Sequence, residues 1–461
     1  MSTSLRMSRR GVIGYGAGLS GAALVAACGP AGDGGGGAQP AATAKLVELR
    51  AHARAGAERD GYQKSVDEFN KINEGKIKVI YEGLAGDPGY YGPLETNVVA
   101  GTNGDVHYAH TSNVKYQEYA AKNIAINLDS YAAKDKNFKL ADWPATAQDA
   151  MKVVDGKLFG MPIRGQIAWL FLYWNIDMLK KAGLQEPTPD WTYEQLLTSA
   201  RQLKGQSSDP EFIPIGHGSG GGFEQVVANV RRFGGDFFQE TKGGGKKAML
   251  DSSQTAQTYK WFYDNIKAGI VAPRTAPYDA NGFGQGKMAF YFGRLAGERG
   301  TIANSAKGAF EWTFNLMPKG PTGKRGGFLS VDMSQVAANS KSKDAAWEFL
   351  KHITGKNSGI NLAMQPDGSL TPGFRKDVYC ADQLLNDARF PKTAMKANCD
   401  NVDQPDTYVF PANFRLNGPG GVQDILTKYL NPVGDGTTEP TPAFLKEMNT
   451  EVQRVLDMPR I

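Results

Sequence analysis

Short runs of alternating apolar and polar residues recur along the chain, and each gives way to a stretch where apolar residues return every three or four positions. Residues 45–50 alternate as a strand does, and Tyr62, Val66 and Phe69 follow at helical spacing. A second alternation over 76–81, a helical stretch over 94–100 and a third strand over 104–108, entered from a turn, repeat the unit. This succession predicts an α/β lobe with a largely parallel sheet. Ligands of such sheets bind beyond the carboxyl ends of the strands, which places His52, Arg54, Tyr108, His110 and Thr111 near any site.

A second lobe is expected after residues 155–162, where a Gly turn leads into a short strand and Pro162 restricts the chain. The run 167–174 is apolar enough for one buried strand. Thr192 and Gln195 have the spacing of a capping box, so a helix should start there. Residues 314–321 read as a strand ending in a Pro/Gly turn, and Ala346, Phe349, Leu350 and Ile353 give an amphipathic helix over 345–353.

The N-terminus has a different pattern. Arg6, Arg9 and Arg10 precede a Gly/Ala-rich apolar stretch that ends in Val25-Ala26-Ala27-Cys28, the layout of a signal peptide over residues 1–27. Arg9-Arg10 resembles a twin-arginine export signal, with Val12 and Ile13 in place of the usual Phe and Leu. The four residues ending at Cys28 resemble a bacterial lipobox, which implies lipidation of Cys28 and a membrane anchor through that lipid. Two acyl chains anchor well, because each buried methylene contributes about 0.8 kcal/mol. Residues 28–44 are Gly/Ala/Pro-rich and read as a flexible tether. The expected location is the extracellular face of the cell membrane, or its periplasmic side.

Removing residues 1–27 takes away three arginines and lowers the formal charge from +5 to +2. The body has no long basic run, so nucleic acid is not an expected partner. The length after the tether exceeds what one core supports and suits two lobes. With Cys28 lipidated, Cys380 and Cys399 are expected as a disulfide, with two free buried thiols as the alternative.

Residues 155–162, followed by Tyr173-Trp174-Asn175 and the stretch to Leu184, resemble extracellular solute-binding proteins, family 1. Residues 190–196, 284–290, 317–321 and 343–350 continue that pattern in order. The resemblance implies a periplasmic-binding-protein type 2 fold, with two discontinuous α/β lobes joined by a hinge. The lobes would comprise 45–162 with 318–350, and 163–317 with 351–461. Such a protein would be a monomer that closes over a small molecule and presents it to ABC transporter permease subunits.

For a sugar ligand the resemblance adds Gln166, Trp169, Phe223, Arg294, Phe410 and Phe414 from the second lobe to the strand-end residues above. Many sugar binders of the family carry Trp after a Gly-Pro turn where this chain has Gly293-Arg294-Leu295, which leaves room for a charged ligand. Arg54, Arg164 and Arg294 each have a plainer reading as paired structural arginines, and Trp169 one as core.

No cofactor or metal is expected, and no catalytic residue. Gly216 to Gly221 fits G-x-G-x-x-G, but Asp236 lies in a turn where the dinucleotide fingerprint needs a strand end. His107 and His110 on an extended strand would face opposite ways, so they make a poor metal pair. The alternatives to an importer's binding protein are an exported enzyme or cofactor-carrying lipoprotein, and a binding protein that serves a membrane sensor.

Overall fold

The computed structural model describes residues 45–85, 89–166, 170–217, 222–239, 245–274, 277–366, 371–403 and 420–458. Residues 45–461 form one compact unit. Its strands are β1 (Val47–Arg54), β2 (Ile77–Leu84), β3 (Val106–His110), β4 (Met161–Gln166), β5 (Phe171–Asn175), β6 (Ile215–His217), β7 (Phe290–Gly293), β8 (Trp312–Leu316) and β9 (Ser330–Val336).

The first sheet has the order β2-β1-β3-β9-β4. β1 is parallel to β2 and β3, with Leu49 beside Val79, because helices return the chain to the same end of the sheet each time. β9 arrives from far along the chain and inserts antiparallel between β3 and β4. The β4–β9 register shifts between Pro162 and Arg164, at the one residue type without an N–H for the ladder. The second sheet, β6-β7-β5-β8, has β5 antiparallel to both neighbours and β6 parallel to β7.

The helices Arg59–Ile72, Lys343–Ile353 and Lys356–Ala363 cover the first sheet. Phe69 and Phe349, both buried, meet edge to face at 5.2 Å. Each contributes roughly 1.5–3 kcal/mol by leaving water. Asn361 ties the Lys356–Ala363 helix to its neighbour by donating to Ser65 Oγ (3.2 Å) and Glu68 Oε2 (3.0 Å). The second sheet packs Trp174, Phe290 and Phe292 against Leu196 and Ala200 of the Tyr193–Gln206 helix. That helix starts at the capping box, where Thr192 Oγ1 accepts from the Gln195 N–H and Gln195 Oε1 from the Thr192 N–H.

The run 167–174 is not one strand. β4 ends at Gln166, β5 starts at Phe171, and residues 167–169 lie outside the described residues. Among the sequence boundaries drawn between lobes, 162/163 falls within β4 and 350/351 within the Lys343–Ile353 helix. Cys380 and Cys399 are joined by a disulfide with Cα atoms 4.9 Å apart, which links the turn after the Lys376–Tyr379 helix to the Lys392–Asp400 helix. No helix among the described residues is long and apolar enough to cross a membrane.

Candidate functional site

The ends of β1 and β3, with β4 and β9 beside them, form one wall of a cleft of ≈ 360 Å³. The other wall comes from the segment after β7 and from the first turns of the Phe223–Arg232 and Val422–Gly434 helices. That volume falls in the range of about 300–1,000 Å³ usual for small-molecule sites. Hydrogen-bonding side chains dominate its described lining, among them Arg54, His110, Arg164, Asp332, Glu224 and Arg294.

Asp332 is the hub of the first wall. Its place on β9 sets it opposite His110 on one side and Arg164 on the other. Oδ2 accepts from Arg54 Nη2 at 3.1 Å and meets Arg164 Nη2 at 2.5 Å, while Oδ1 accepts from the Tyr108 hydroxyl at 2.8 Å and lies 3.2 Å from His110 Nε2. Burial pushes the Asp332 carboxyl up, but Arg164 and Arg54, then His110 and Tyr108, outweigh it and hold the group at about 2. Arg54 also donates from Nε to Glu58, and its guanidinium lies 4.5 Å above the Tyr108 ring. Burial works against the charge on Arg54, yet Tyr108, Asp332 and Glu58 raise its pKa well above the ordinary value. The His110 tautomer follows from its neighbours. Nδ1 accepts from the Ser112 N–H at 3.1 Å, so the ring proton belongs on Nε2, which faces Ser330 Oγ at 3.1 Å.

On the second wall, Glu298 holds the turn after β7. Its Oε2 accepts from the Arg294 N–H (2.7 Å) and the Tyr291 hydroxyl (2.9 Å), and its Oε1 from Arg294 Nε (2.7 Å). Gln166, at the end of β4, accepts from the Ala296 N–H at 3.3 Å and so joins the two walls. Gln423 accepts from the Phe223 N–H at 2.7 Å, which satisfies one orphan donor of that helix N-terminus.

Of the residues expected at the ligand, Arg54, His110, Gln166 and Arg294 line the cleft together. Tyr108 lies beneath Arg54 as a support for Asp332. His52, Thr111 and Phe223 sit elsewhere. The His52 ring is wholly buried between Glu82 Oε2 (2.7 Å) and the Gly104 N–H (3.2 Å), because β1 is an interior strand covered on both faces. Thr111 Oγ1 exchanges hydrogen bonds with the Val331 backbone, and Phe223 packs on Phe237 at 4.6 Å. Trp169, Phe410, Phe414 and Cys28 lie outside the described residues.

Sequence reasoning missed Asp332, Ser330, Glu224 and Gln423, and left Arg164 out of the expected ligand residues after weighing it as a structural arginine. One signal was present: Ser330, Asp332 and Ser334 recur at every second position of an apolar stretch, which puts a polar stripe on one face of a strand. The fingerprint acid Asp236 pairs with Arg231 at 2.7 Å, and residues 218–221 lie outside the described residues. Among the described residues no group of three His, Cys, Asp or Glu side chains could hold a metal.

A model of the bacterial extracellular solute-binding protein family matches residues 55–358. A binding protein of Brucella abortus (strain 2308) is 24% identical over 373 residues, covering 79% of this chain and 82% of its own. A mannitol-binding protein of Pseudomonas aeruginosa is 24% identical over 288 residues, covering 59% of this chain and 62% of its own. The solved structure of the sugar-binding protein MalE from Xanthomonas citri superposes with a TM-score of 0.73 at 18% identity, covering 89% of this chain and 97% of that one. At that identity the likeness shows the fold, which is the periplasmic-binding-protein type 2 fold.

Proposed function

Because this chain belongs to the bacterial extracellular solute-binding protein family, and is therefore a binding protein and not an enzyme, we propose that it captures a small hydroxylated solute and delivers it to an ABC importer. The solute class is a mono- or oligosaccharide or the corresponding polyol. The observation that carries this reading is the cleft itself, whose two walls come from different sheets and present hydrogen-bonding side chains to one shared space. Hydroxyl groups, which both donate and accept, suit a lining in which guanidiniums alternate with carboxylates. The names of the mannitol-binding and sugar-binding relatives support the same class.

Capture proceeds by closure of the two lobes about the strands that pass between them. The protein is exported through its N-terminal signal, anchored by lipid on Cys28, and acts as a monomer at the outer face of the membrane. Its partners are permease subunits and the solute.

A thermal-shift screen of the purified protein against monosaccharides, oligosaccharides and polyols tests the reading. Ligand at about a thousand times its Kd adds about 4 kcal/mol to stability, enough to raise the midpoint by several degrees. A shift with one sugar or polyol class is the expected result. No shift with any of them, against a clear shift with a charged solute, would end the hydroxylated-solute reading. The anchor has its own test, in which Cys28→Ser should move the protein from the membrane fraction to the medium or periplasm.

A further inference from the structure

The end of the first sheet where β1 and β2 start, opposite the cleft, keeps apolar side chains in water. Among the described residues five large hydrophobic side chains are exposed, and three of them lie at this end. Leu46 (42%) stands just before β1, Ile72 (73%) ends the Arg59–Ile72 helix, and Val99 (90%) is in the last turn of the Tyr91–Ala100 helix. Topology gathers them. β1 and β2 run parallel with Val47 beside Ile77, and the Val47 N–H donates to the Lys76 carbonyl at 2.9 Å. The loop after the Tyr91–Ala100 helix is held to β1 by Arg50 Nη1, which donates to the Thr102 carbonyl at 2.8 Å. Single exposed aliphatics need no explanation, whereas exposed aliphatics collected at one end mark a contact surface.

The charge around them is mostly positive. Lys45, Lys71, Lys76, Lys78 and Lys341 are exposed on the same loops and strand starts, against exposed Glu48, Glu74 and Asp344. Among the described residues only Lys78 of these five lysines is ion-paired, with Glu48 at 3.4 Å. Val47, Ile77 and Ala345, each half-buried, floor a hollow rimmed by Lys341 and Lys343. The loops that close this end, 73–76, 100–105 and 337–342, all belong to the described residues. Aliphatic tips interleaved with lysines suit the headgroup layer of an anionic bilayer, where the tips enter the interface and the ammonium groups stay among the phosphates.

The chain itself points to the occupant. Residues 28–44 join the body at Lys45, within this patch. We propose that the β1–β2 start of the first sheet is a peripheral membrane-contact surface that rests on anionic phospholipid headgroups. This deepens the membrane placement proposed above. A tethered surface meets its partner at high effective concentration, so a weak contact suffices. Because the cleft lies at the opposite ends of the same strands, contact here turns the cleft away from the bilayer and keeps it open to solutes.

Co-sedimentation of the mature chain carrying Cys28→Ser tests the surface without any lipid on the protein. The vesicles are phosphatidylcholine alone, and phosphatidylcholine with equal parts phosphatidylglycerol. The chain should bind the mixed vesicles, less tightly as salt rises, and leave the neutral ones unbound. The triple change Lys71→Gln, Lys76→Gln and Lys341→Gln should weaken binding on the order of 100-fold, at about fivefold for each lysine near an anionic surface. Ile72→Ser with Val99→Ser should weaken it about tenfold. Both variants should keep the solute affinity and melting temperature of the parent, since the changed side chains are exposed and lie away from the cleft. Equal binding to the two compositions, binding to neither, or variants that bind as the parent does would overturn the proposal. So would self-association that Ile72→Ser with Val99→Ser abolishes, which assigns the surface to a second copy of the chain. None of these outcomes bears on the lipid anchor, whose test is the fractionation of cells.

Discussion

Arg164 on β4 and Asp332 on β9 stand opposite each other in an antiparallel register and touch at 2.5 Å. The same carboxylate also takes Arg54, so one buried anion serves two guanidiniums, with Glu58 as the second counter-charge. Asp332→Asn keeps the shape and removes the charge. Breaking a buried pair in this way leaves an uncompensated cation, and we predict a loss of about 3–5 kcal/mol in urea unfolding. A loss below about 1 kcal/mol, the size seen for exposed pairs, would mean that water enters the network freely.

The fold should be acid-sensitive in two stages. His107 is fully buried, with neither ring nitrogen within good hydrogen-bond geometry of a partner among the described residues, and burial, helped by nearby His52 and opposed by the Gln335 side chain, lowers its pKa from 6.5 to about 4. A depressed histidine stays neutral in the folded state while the unfolded chain takes up a proton. Its contribution is therefore intact above pH 6.5 and is lost as pH falls towards 4, by up to roughly 3 kcal/mol. His52 and His352 are shifted the same way, mainly by burial, so the pH slope of His107→Phe against wild type isolates the His107 share. Asp332, held at about 2 against an ordinary 3.8, adds stability above its unfolded value that is lost only below it. A stability profile that is level from pH 6.5 to 4 would contradict the histidine account.

The disulfide joins cysteines 19 positions apart and fastens the Lys392–Asp400 helix, which lies against β8 where Thr393 and Thr313 share a hydrogen bond of 2.8 Å. In the chain-entropy model a loop of that size contributes about 3 kcal/mol. Reduction, or the double change Cys380→Ser and Cys399→Ser, should lower the unfolding midpoint by several degrees without abolishing ligand binding, since neither cysteine lines the cleft. Loss of binding at a temperature where the reduced protein is still folded would tie the bridge to the site instead.

The first three strands and their helices were legible because each is a local pattern: Leu49 and Val79 alternate with charges, and Tyr62, Val66 and Phe69 share a helix face. Thr192 and Gln195 were legible for the same reason, a cap needing only four residues. The partnership of Arg164 with Asp332 was not, because the residues lie 168 positions apart and meet only through the placement of β9 between β3 and β4. A register shift after Pro162 adds to the difficulty, since a slip of one residue turns a strand's side chains to the other face. The break between β4 and β5 was hidden by an apolar run that reads the same whether one strand or two pass through it.

His52 and Gln166 separate the pattern-based site from the geometric one. Both were expected at the ligand, yet the His52 ring is wholly enclosed by Glu82 and Gly104, while Gln166 lines the cleft. Gln166 Oε1 is taken by the Ala296 N–H, and its Nε2 makes no hydrogen bond among the described residues, so two donors remain for a solute. Gln166→Ala should therefore weaken binding by up to about tenfold, the size of one neutral hydrogen bond, while the lost bond to the Ala296 N–H costs the unliganded protein about 1 kcal/mol of stability. His52→Phe should cost about 1–3 kcal/mol of stability by orphaning its partners while the folded fraction binds as wild type does. Paired titration calorimetry and urea unfolding of the two variants would read both effects. If His52→Phe lowered affinity and Gln166→Ala did not, the solute would have to sit deeper along β1 than the cleft described above.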